Sequence, residues 1–124
     1  MKKRGVDLME KIEIRNAIIK SAEIRNDDHG VLTVWLDLDY GGCGQGFGGY
    51  ALYLPESFSY HRMDSLAGHF IWRVLEIADV GKWSALVGKT IRVKTIFSQV
   101  LAIGHIIKDD WFDPKEDFRK SENT

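Results

Sequence analysis

One long stretch of this chain has the hydrophobic period of a helix, and this constrains the fold more than any other feature of the sequence. Over residues 63–78, apolar side chains recur every three or four positions, as on one face of an α-helix. The stripe consists of Met63, Leu66, Ala67, Phe70, Ile71, Val74, Ile77 and Ala78. Gly81 follows the stripe and is the expected end of the helix.

The segments before this helix predict three strands. From Lys11 to Arg25, the apolar residues occupy even positions, which indicates a long strand with one apolar face: Ile12, Ile14, Ile18, Ala22 and Ile24. Asn16 and Lys20 interrupt the pattern, so we expect a bulge or a change of partner. The turn sequence RNDDHG leads to VLTVWLDLDY (31–40), and the two runs predict a hairpin. A glycine-rich connection and a short strand, YALYLP (50–55), follow.

The segments after the helix complete the predicted order. KWSALVGK (82–89) is expected to form one helical turn, with Trp83, Leu86 and Val87 packed inward. KTIRVKTI (89–96) and LAIGHII (101–107) predict two more strands, with Gly104 at a bulge or a close contact. The order β-β-β-α-β-β predicts the α+β class: an antiparallel, twisted sheet with one main helix packed on a face.

The length of 124 residues favours a single domain. We expect the α+β domain to span residues 11–114, with a flexible N-terminal extension at 1–10 and a polar C-terminal tail at 115–124. Regular patterning begins just after Met9, so both Met1 and Met9 stay open as the natural start.

Charge and cysteine content narrow the classes of function. A net charge of −1 argues against direct coating of nucleic acid, which requires that many phosphates be neutralised. The single cysteine, Cys43, excludes an intramolecular disulfide and fits a reducing cytoplasm. The basic N-terminus lacks the apolar core of a signal peptide, and no apolar run is long enough to cross a membrane, so no membrane partner is expected.

The segment GGCGQGFGGY (41–50) holds six of the twelve glycines. Residues 44–49 match the letters of G-x-G-x-x-G, but a dinucleotide site needs a helix after the glycines, and a strand is predicted here. Two interpretations stay open. Backbone amides around Phe47 can contact a nucleotide, or the glycines let the backbone pack closely against another element or subunit.

Other polar and aromatic residues have alternative interpretations as well. Asp37 and Asp39 point to one side of a strand, where they can hold a cation, face a basic partner or form a solvated face. His105 lies in an apolar strand, which is more typical of a core histidine than of a catalytic base. Trp111 and Phe112 are expected to pack onto the sheet or a neighbouring subunit, or to form a platform for a ligand or partner.

Three blocks of the chain together resemble a family of small proteins encoded by phages and prophages. These blocks are DHGVLTVWLDLDYGGCGQGFGGYAL, GHFIWRVLEIADVGKWSALVGKTIRVK and AIGHIIKDDWFDP, so the resemblance covers about residues 11–114. Among such proteins, the chain is most similar to the Thoeris anti-defence class. Members of that class bind and sequester cyclic ADP-ribose-like signals of a bacterial immune system without cleaving them.

The resemblance implies a phage-encoded, non-enzymatic protein of the host bacterial cytoplasm that evades immunity by sequestering a nucleotide second messenger. The ligand is expected to be cyclic ADP-ribose-like or a cyclic oligonucleotide, and the protein to be a homo-oligomer. The resemblance transfers no single binding residue to this chain. It implies neither a cofactor nor a metal, and the sequence itself shows no metal-ligand spacing and no nucleophile motif.

A nucleotide-derived ligand needs aromatic faces for its base and amides or cations for its phosphates. The chain offers Phe47, Trp111 and Phe112 as faces, and Arg73, Arg92, Lys94 and Lys108 as cations. The predicted ligand-binding residues are therefore Gly44, Gln45, Gly46, Phe47, Tyr50, Arg73, Arg92, Lys108, Trp111 and Phe112.

Two other classes of function stay open beside this one. The first is an anti-CRISPR-type inhibitor of a host nucleic-acid-handling complex, which presents an acidic face made of Asp37, Asp39, Asp109, Asp110 and Asp113. The second is a small hydrolase that degrades the signal. The lack of a metal or nucleophile set in the sequence argues against the hydrolase.

Overall fold

The computed structural model describes residues 11–28, 30–50, 52, 66–97 and 99–123. In this part of the chain, six strands form one antiparallel sheet and a 13-residue helix packs against it, which confirms the predicted α+β class. The strands are β1 (Glu13–Asp28), β2 (Val31–Tyr40), β3 (Cys43–Gly48), β4 (Thr90–Ile96), β5 (Gln99–Gly104) and β6 (Trp111–Phe112). The helices are α1 (Leu66–Ala78), α2 (Pro114–Asn123) and a short 3₁₀ helix (Trp83–Ala85).

The long first strand organises the sheet, whose strand order is β3-β2-β1-β4-β5-β6. Residues 13–18 of β1 pair with β4, and residues 18–28 pair with β2 in the predicted hairpin. The register with β2 shifts between Ile19 and Ser21, so both the predicted bulge and the predicted change of partner are confirmed. The sheet curls back on itself, because β3 approaches β5 although three strands separate them in the order.

The inner face of the curved sheet and one face of α1 enclose the core. Phe70 of α1 contacts Phe112 of β6 and Phe47 of β3, with ring centroids 5.1 and 5.8 Å apart. The buried apolar side chains of the strands are Ala17, Ile19, Val34, Leu36, Leu38, Tyr40, Phe47, Ile91, Val93, Val100, Ala102, Ile103 and Phe112. Those of α1 are Ala67, Phe70, Val74, Ile77 and Ala78, all of them positions of the predicted stripe.

Before the bulge, the predicted apolar face of the first strand is not the face that enters the core. Ile14 and Ile18 pair with Lys94 and Thr90 of β4 on the outer face, whereas the odd-numbered Ala17 pairs with the buried Ile91. Because directly paired residues share a face, the pairing with β4 places odd residues of β1 inside. The bulge after Ile19 then returns even residues to the inner face, where Ala22 pairs with Leu36.

The glycine-rich segment is itself a strand, so its prediction as a connection between strands is wrong. β3 pairs with β2 from Cys43 opposite Tyr40 to Gly48 opposite Trp35. In the predicted strand at 50–55, Tyr50 and Leu52 lie outside any regular strand, although the Leu52 N–H donates to the Leu32 carbonyl at 3.0 Å. Residues 51 and 53–55 lie outside the described part of the chain.

Helix α1 ends before the glycine that was expected to stop it. Asp79 has a φ of 59°, and its N–H donates to the Glu76 carbonyl at 3.1 Å. The N–H of Val80 donates to the Leu75 carbonyl at 3.1 Å, which completes a Schellman motif. The prediction of Gly81 as the stop is therefore wrong, since an aspartate occupies the left-handed position. Met63, the first residue of the predicted stripe, lies outside the described residues.

The predicted helical turn after α1 is confirmed as the 3₁₀ helix. Leu86 is buried, and the Trp83 indole donates to the Ala22 carbonyl at 3.3 Å. Val87 was expected to pack inward, but it is exposed. Its neighbour Gly88 donates to the Ile19 carbonyl at 2.8 Å, so this turn joins β1 through its backbone.

Two elements lie beyond the predicted order. The short strand β6 pairs with β5, with Phe112 opposite Ile103. Helix α2 occupies most of the predicted polar tail at 115–124, and Asp113 Oδ1 accepts from the N–H groups of Lys115 and Glu116 at its start. Phe118 of this helix packs against the core, 5.5 Å from the His69 ring.

Candidate functional site

The glycines of β3 make room for a tryptophan from the neighbouring strand. A Cβ atom at Gly46 would lie 3.0 Å from the Trp35 ring, and one at Gly49 would overlap the same ring. Gly48 has a φ of 123°, and a Cβ there would overlap the Val34 carbonyl. These contacts support the interpretation in which glycines permit close packing of the backbone against another element.

Phe47 lies on the opposite face of β3 from these glycines. It is 1% exposed, and its ring contacts Tyr50, Phe70 and Phe112 at centroid distances of 6.5, 5.8 and 6.2 Å. Side chains alternate along a strand, so Phe47 and the outer-face positions Gly44 and Gly46 cannot line one site. Phe47 is therefore a core residue.

The far edge of the sheet repeats the pairing of tryptophan with glycine. A Cβ atom at Gly104 would overlap the Trp111 ring, which confirms Gly104 as a position of close contact. The Arg92 guanidinium and the Lys94 ammonium lie 4.9 and 4.5 Å from the centroid of that ring. Phe112 is fully buried. The expectation that Trp111 and Phe112 pack onto the sheet is therefore confirmed.

The structure does not gather the predicted ligand-binding residues into one site. Gly44 and Gly46 belong to the outer face of β3, whereas Gln45 and Phe47 share its inner face. Tyr50 packs against Phe70 and Phe118. Four others lie at the opposite edge of the sheet and are also divided between its two faces. Arg92 and Trp111 lie on the outer face, whereas Arg73 and Phe112 lie on the side of α1. Lys108 lies in the loop that joins β5 to β6.

The acidic residues that the inhibitor alternative joined are also separated. Asp37 and Asp39 both lie on the outer face of β2, as their spacing predicts. Asp110 binds Arg73 beside β6, and Asp113 caps helix α2. Because three strands stand between β2 and β6, these carboxylates do not form one continuous acidic face.

A cavity of about 390 Å³ opens between the C-terminal end of α1 and the loop that joins β5 to β6. Its lining residues are Trp72, Leu75, Glu76, Asp79, Val80, Gly81, His105, Lys108 and Asp110. Trp72 presents its indole at the cavity and is 66% exposed. A volume of this order suits a small organic molecule.

His105 contributes the one buried polar atom of the described chain that has no partner. Its side chain is 8% exposed, and its Nδ1 accepts from the N–H groups of Ile107 and Lys108, both at 3.0 Å. An accepting Nδ1 carries no proton, so Nε2 is the protonated nitrogen and can donate. This Nε2 has no hydrogen-bond partner, and it lies 3.6 Å from Asp79 Oδ2 across the cavity wall.

The loop that carries His105 is held in place from two sides. The His105 N–H donates to the Asp110 carbonyl at 3.0 Å, which closes the loop on itself. Arg92 donates from the outer face to the carbonyls of His105 and Lys108, at 2.7 and 2.6 Å. The Nε2 donor is thus positioned by the backbone before any ligand arrives.

Three carboxylates line the cavity together with this donor: Glu76, Asp79 and Asp110. Arg73 binds Asp110 at 2.8 Å and Glu76 at 2.6 Å, and it also donates to the Trp111 carbonyl at 2.8 Å. The hydrogen bond from Arg73 lowers the pKa of the Asp110 carboxyl below its ordinary value, so this group stays charged. Lys108 is the cation among the lining residues. The cavity therefore suits a ligand that both accepts from His105 and donates to Asp79.

Sequence reasoning missed most of this cavity. Trp72 carries a detectable signal, because it is a large aromatic residue that lies off the apolar stripe of the helix. His105 was recognised as buried, but its unpartnered nitrogen depends on the fold of the loop. Asp79 gives no signal, since its left-handed conformation is visible in the structure alone.

No group of three or more histidine, cysteine, aspartate or glutamate side chains in the described part of the chain is arranged to hold a metal ion. None of its helices combines the length and the apolar character needed to cross a membrane.

Comparison with known proteins gives no assignment of class or family. No protein-family model, no curated protein and no solved structure matches this chain. The resemblance to phage anti-defence proteins, based on its three sequence blocks, thus stays a prediction.

Proposed function

We propose that the protein binds and sequesters a nucleotide-derived small molecule, without cleaving it, in the cavity beside α1. The observation that carries this proposal is the buried, unpartnered Nε2–H of His105 at the cavity wall. An unsatisfied buried donor costs about 1–3 kcal/mol, so a ligand acceptor placed there gains that interaction on binding. The resemblance to Thoeris anti-defence proteins supplies the class of ligand and the expectation of sequestration.

The lining groups fit the parts of a nucleotide in a definite arrangement. A ribose hydroxyl can accept from His105 Nε2 and donate to Asp79 at the same time, because a hydroxyl has both capacities. The exposed indole of Trp72 suits a base by stacking. Lys108 is the lining cation that can bind a phosphate. The carboxylates of Glu76 and Asp110 repel phosphates from the part of the cavity that they line.

Thermal unfolding with added ligand tests the proposal. Cyclic ADP-ribose, a cyclic dinucleotide and adenosine are added separately to the purified protein, and a ligand that binds the folded state raises the melting temperature. Mass spectrometry of the heated sample is expected to return the bound compound intact. The absence of a shift with all three compounds, or conversion of the compound to a product, contradicts the proposal.

Two substitutions locate the site. Trp72→Ala is expected to weaken binding about tenfold or more, since loss of a stacking aromatic costs about 1–3 kcal/mol per base. Asp79→Gly is expected to weaken binding while the protein keeps or gains stability, because glycine adopts the positive φ at this position without strain. The matched control is Ile107→Ala. Ile107 is exposed in the loop between β5 and β6, and it does not line the cavity.

A further inference from the structure

A row of isoleucines lies exposed on the outer face of the sheet. Ile12 lies just before β1, and Ile14 and Ile18 lie in its first half; their side chains are 54, 57 and 44% exposed. They are three of the five residues that the alternation of the sequence marked as one apolar face, and the pairing of Ile14 and Ile18 with Lys94 and Thr90 places them on the outer face. Several large apolar side chains exposed together on one face, here with Asn16 among them, are typical of an interaction site.

Opposite charges flank this row. Asp37 and Asp39 of β2 lie on one side, and Asp39 pairs with Ile18. Arg92 and Lys94 of β4 lie on the other side, next to Asn16 and Ile14. The outer face is therefore acidic at one end and basic at the other, with the isoleucines between.

These charges lack counter-charges within the described part of the chain. The side-chain carboxylates of Asp37 and Asp39 form no hydrogen bond or ion pair with any of the described residues. Arg92 donates to two backbone carbonyls, and both Arg92 and Lys94 lie over the Trp111 ring, so neither meets a carboxylate. The negative charge at one end of the face and the positive charge at the other are therefore complementary.

We propose that the outer face is the interface of a two-fold symmetric dimer of this chain. In a two-fold interface the same patch is used by both copies, so the acidic side of one copy meets the basic side of the other. An axis close to Ile18 achieves this, because Ile18 pairs with Asp39 on one side and with Thr90 of β4 on the other. The isoleucine rows of the two copies then cover each other.

Sedimentation over a concentration series tests this interface. The wild-type protein is expected to dimerise, and Ile14→Asp combined with Ile18→Asp to raise the dissociation constant at least about 100-fold, since a symmetric interface loses each side chain twice. Ile107→Asp is the control, because this exposed isoleucine lies in the loop between β5 and β6. It is expected to leave association unchanged.

Charge variants keep the proposal testable if the isoleucine variants fail to fold. Asp37→Lys with Asp39→Lys, and Lys94→Glu separately, are each expected to weaken self-association. An equal mixture of these two variants is expected to form the heterodimer, in which opposite charges meet again. A monomeric wild-type protein at every concentration overturns the proposal, and so does a dimer that none of these substitutions weakens.

Discussion

At the scale of single residues, two tryptophan rings on the outer face of the sheet pack directly over glycines. Trp35 covers Gly46 and Gly49, and Trp111 covers Gly104. A tryptophan buries more apolar area than any other side chain, but a Cβ on the adjacent strand would displace its ring. The conformational cost of a glycine-rich strand is thus offset by the packing of an indole against bare backbone.

Substitution of a single glycine tests this account. Gly49→Ala is expected to lower the free energy of unfolding by about 1–3 kcal/mol, because Gly49 has a φ of 77° and its Cβ would overlap Trp35. Urea denaturation measures the change. Gly44→Ala is the matched control in the same glycine-rich segment, since the nearest atom to its Cβ would be the Leu38 carbonyl oxygen at 3.9 Å. Equal tolerance of both alanines would show that Trp35 does not require the glycine.

At the scale of elements, one arginine joins helix α1 to the edge of the sheet. Arg73 binds Asp110 and the Trp111 carbonyl, so the middle of the helix is fixed to the start of β6. The same guanidinium lies 5.8 Å from the Phe112 ring centroid. Arg73 was predicted to be a phosphate-binding cation, but its donors are occupied by Glu76, Asp110 and a backbone carbonyl.

The pair of Arg73 and Asp110 predicts a dependence of stability on pH. The pKa of Asp110 is lowered in the folded state, so its contribution is present above the unfolded value of about 3.9 and is lost as the pH falls through the folded value. Asp110→Asn is expected to cost about 0.5 kcal/mol near neutral pH, a small value because solvent screens a carboxylate that is 40% exposed.

Measurement of the free energy of unfolding from neutral to acid pH tests this dependence for the wild type and for Asp110→Asn. The gap between wild type and Asp110→Asn is expected to narrow below about pH 4 and to close as the pH falls through the lowered pKa of Asp110 in the folded state. Asp109→Asn is the control, because Asp109 is the exposed neighbour of Asp110 in the same loop and takes no part in the pair with Arg73. A gap that stays constant with pH contradicts the assignment.

At the scale of the whole molecule, the partner change of β1 determines which side chains form the core. Ile18 and Ile19 are neighbours in sequence, yet Ile18 lies on the outer face and Ile19 is fully buried. The bulge after Ile19 shifts the alternation of β1, so that odd residues face the core in the half paired with β4 and even residues face it in the half paired with β2. One face then encloses the core with α1, and the other is available to a partner.

Substitution of these two neighbours tests the assignment of faces. Ile19→Ala is expected to lower the free energy of unfolding by about 2–5 kcal/mol, because it leaves a cavity in the core. Ile18→Ala is expected to cost less than about 0.5 kcal/mol in dilute protein, where no partner covers it. Urea denaturation of both variants at low concentration makes the comparison. Equal costs would contradict the observed faces.

Local patterns predicted the elements whose environment is simple. The stripe of α1, the hairpin of β1 and β2 and the strand β4 each repeat one period, and the structure contains all of them. Gly104 was also recognised as a close contact. The candidate cavity was not predicted as a site, because Trp72 and His105 are more than thirty residues apart in the chain and meet only when β5 and β6 fold against α1.

The order of periodicities in the chain specifies the α+β class, since a single long helical stripe among alternating segments can be buried only by one helix on a sheet. Periodicity shows which residues of a strand share a face. It does not specify which of the two faces packs against the helix. The partner of each strand settles that choice. It placed Ile14 and Ile18 of β1 on the outer face, Phe47 in the core and His105 beside a cavity.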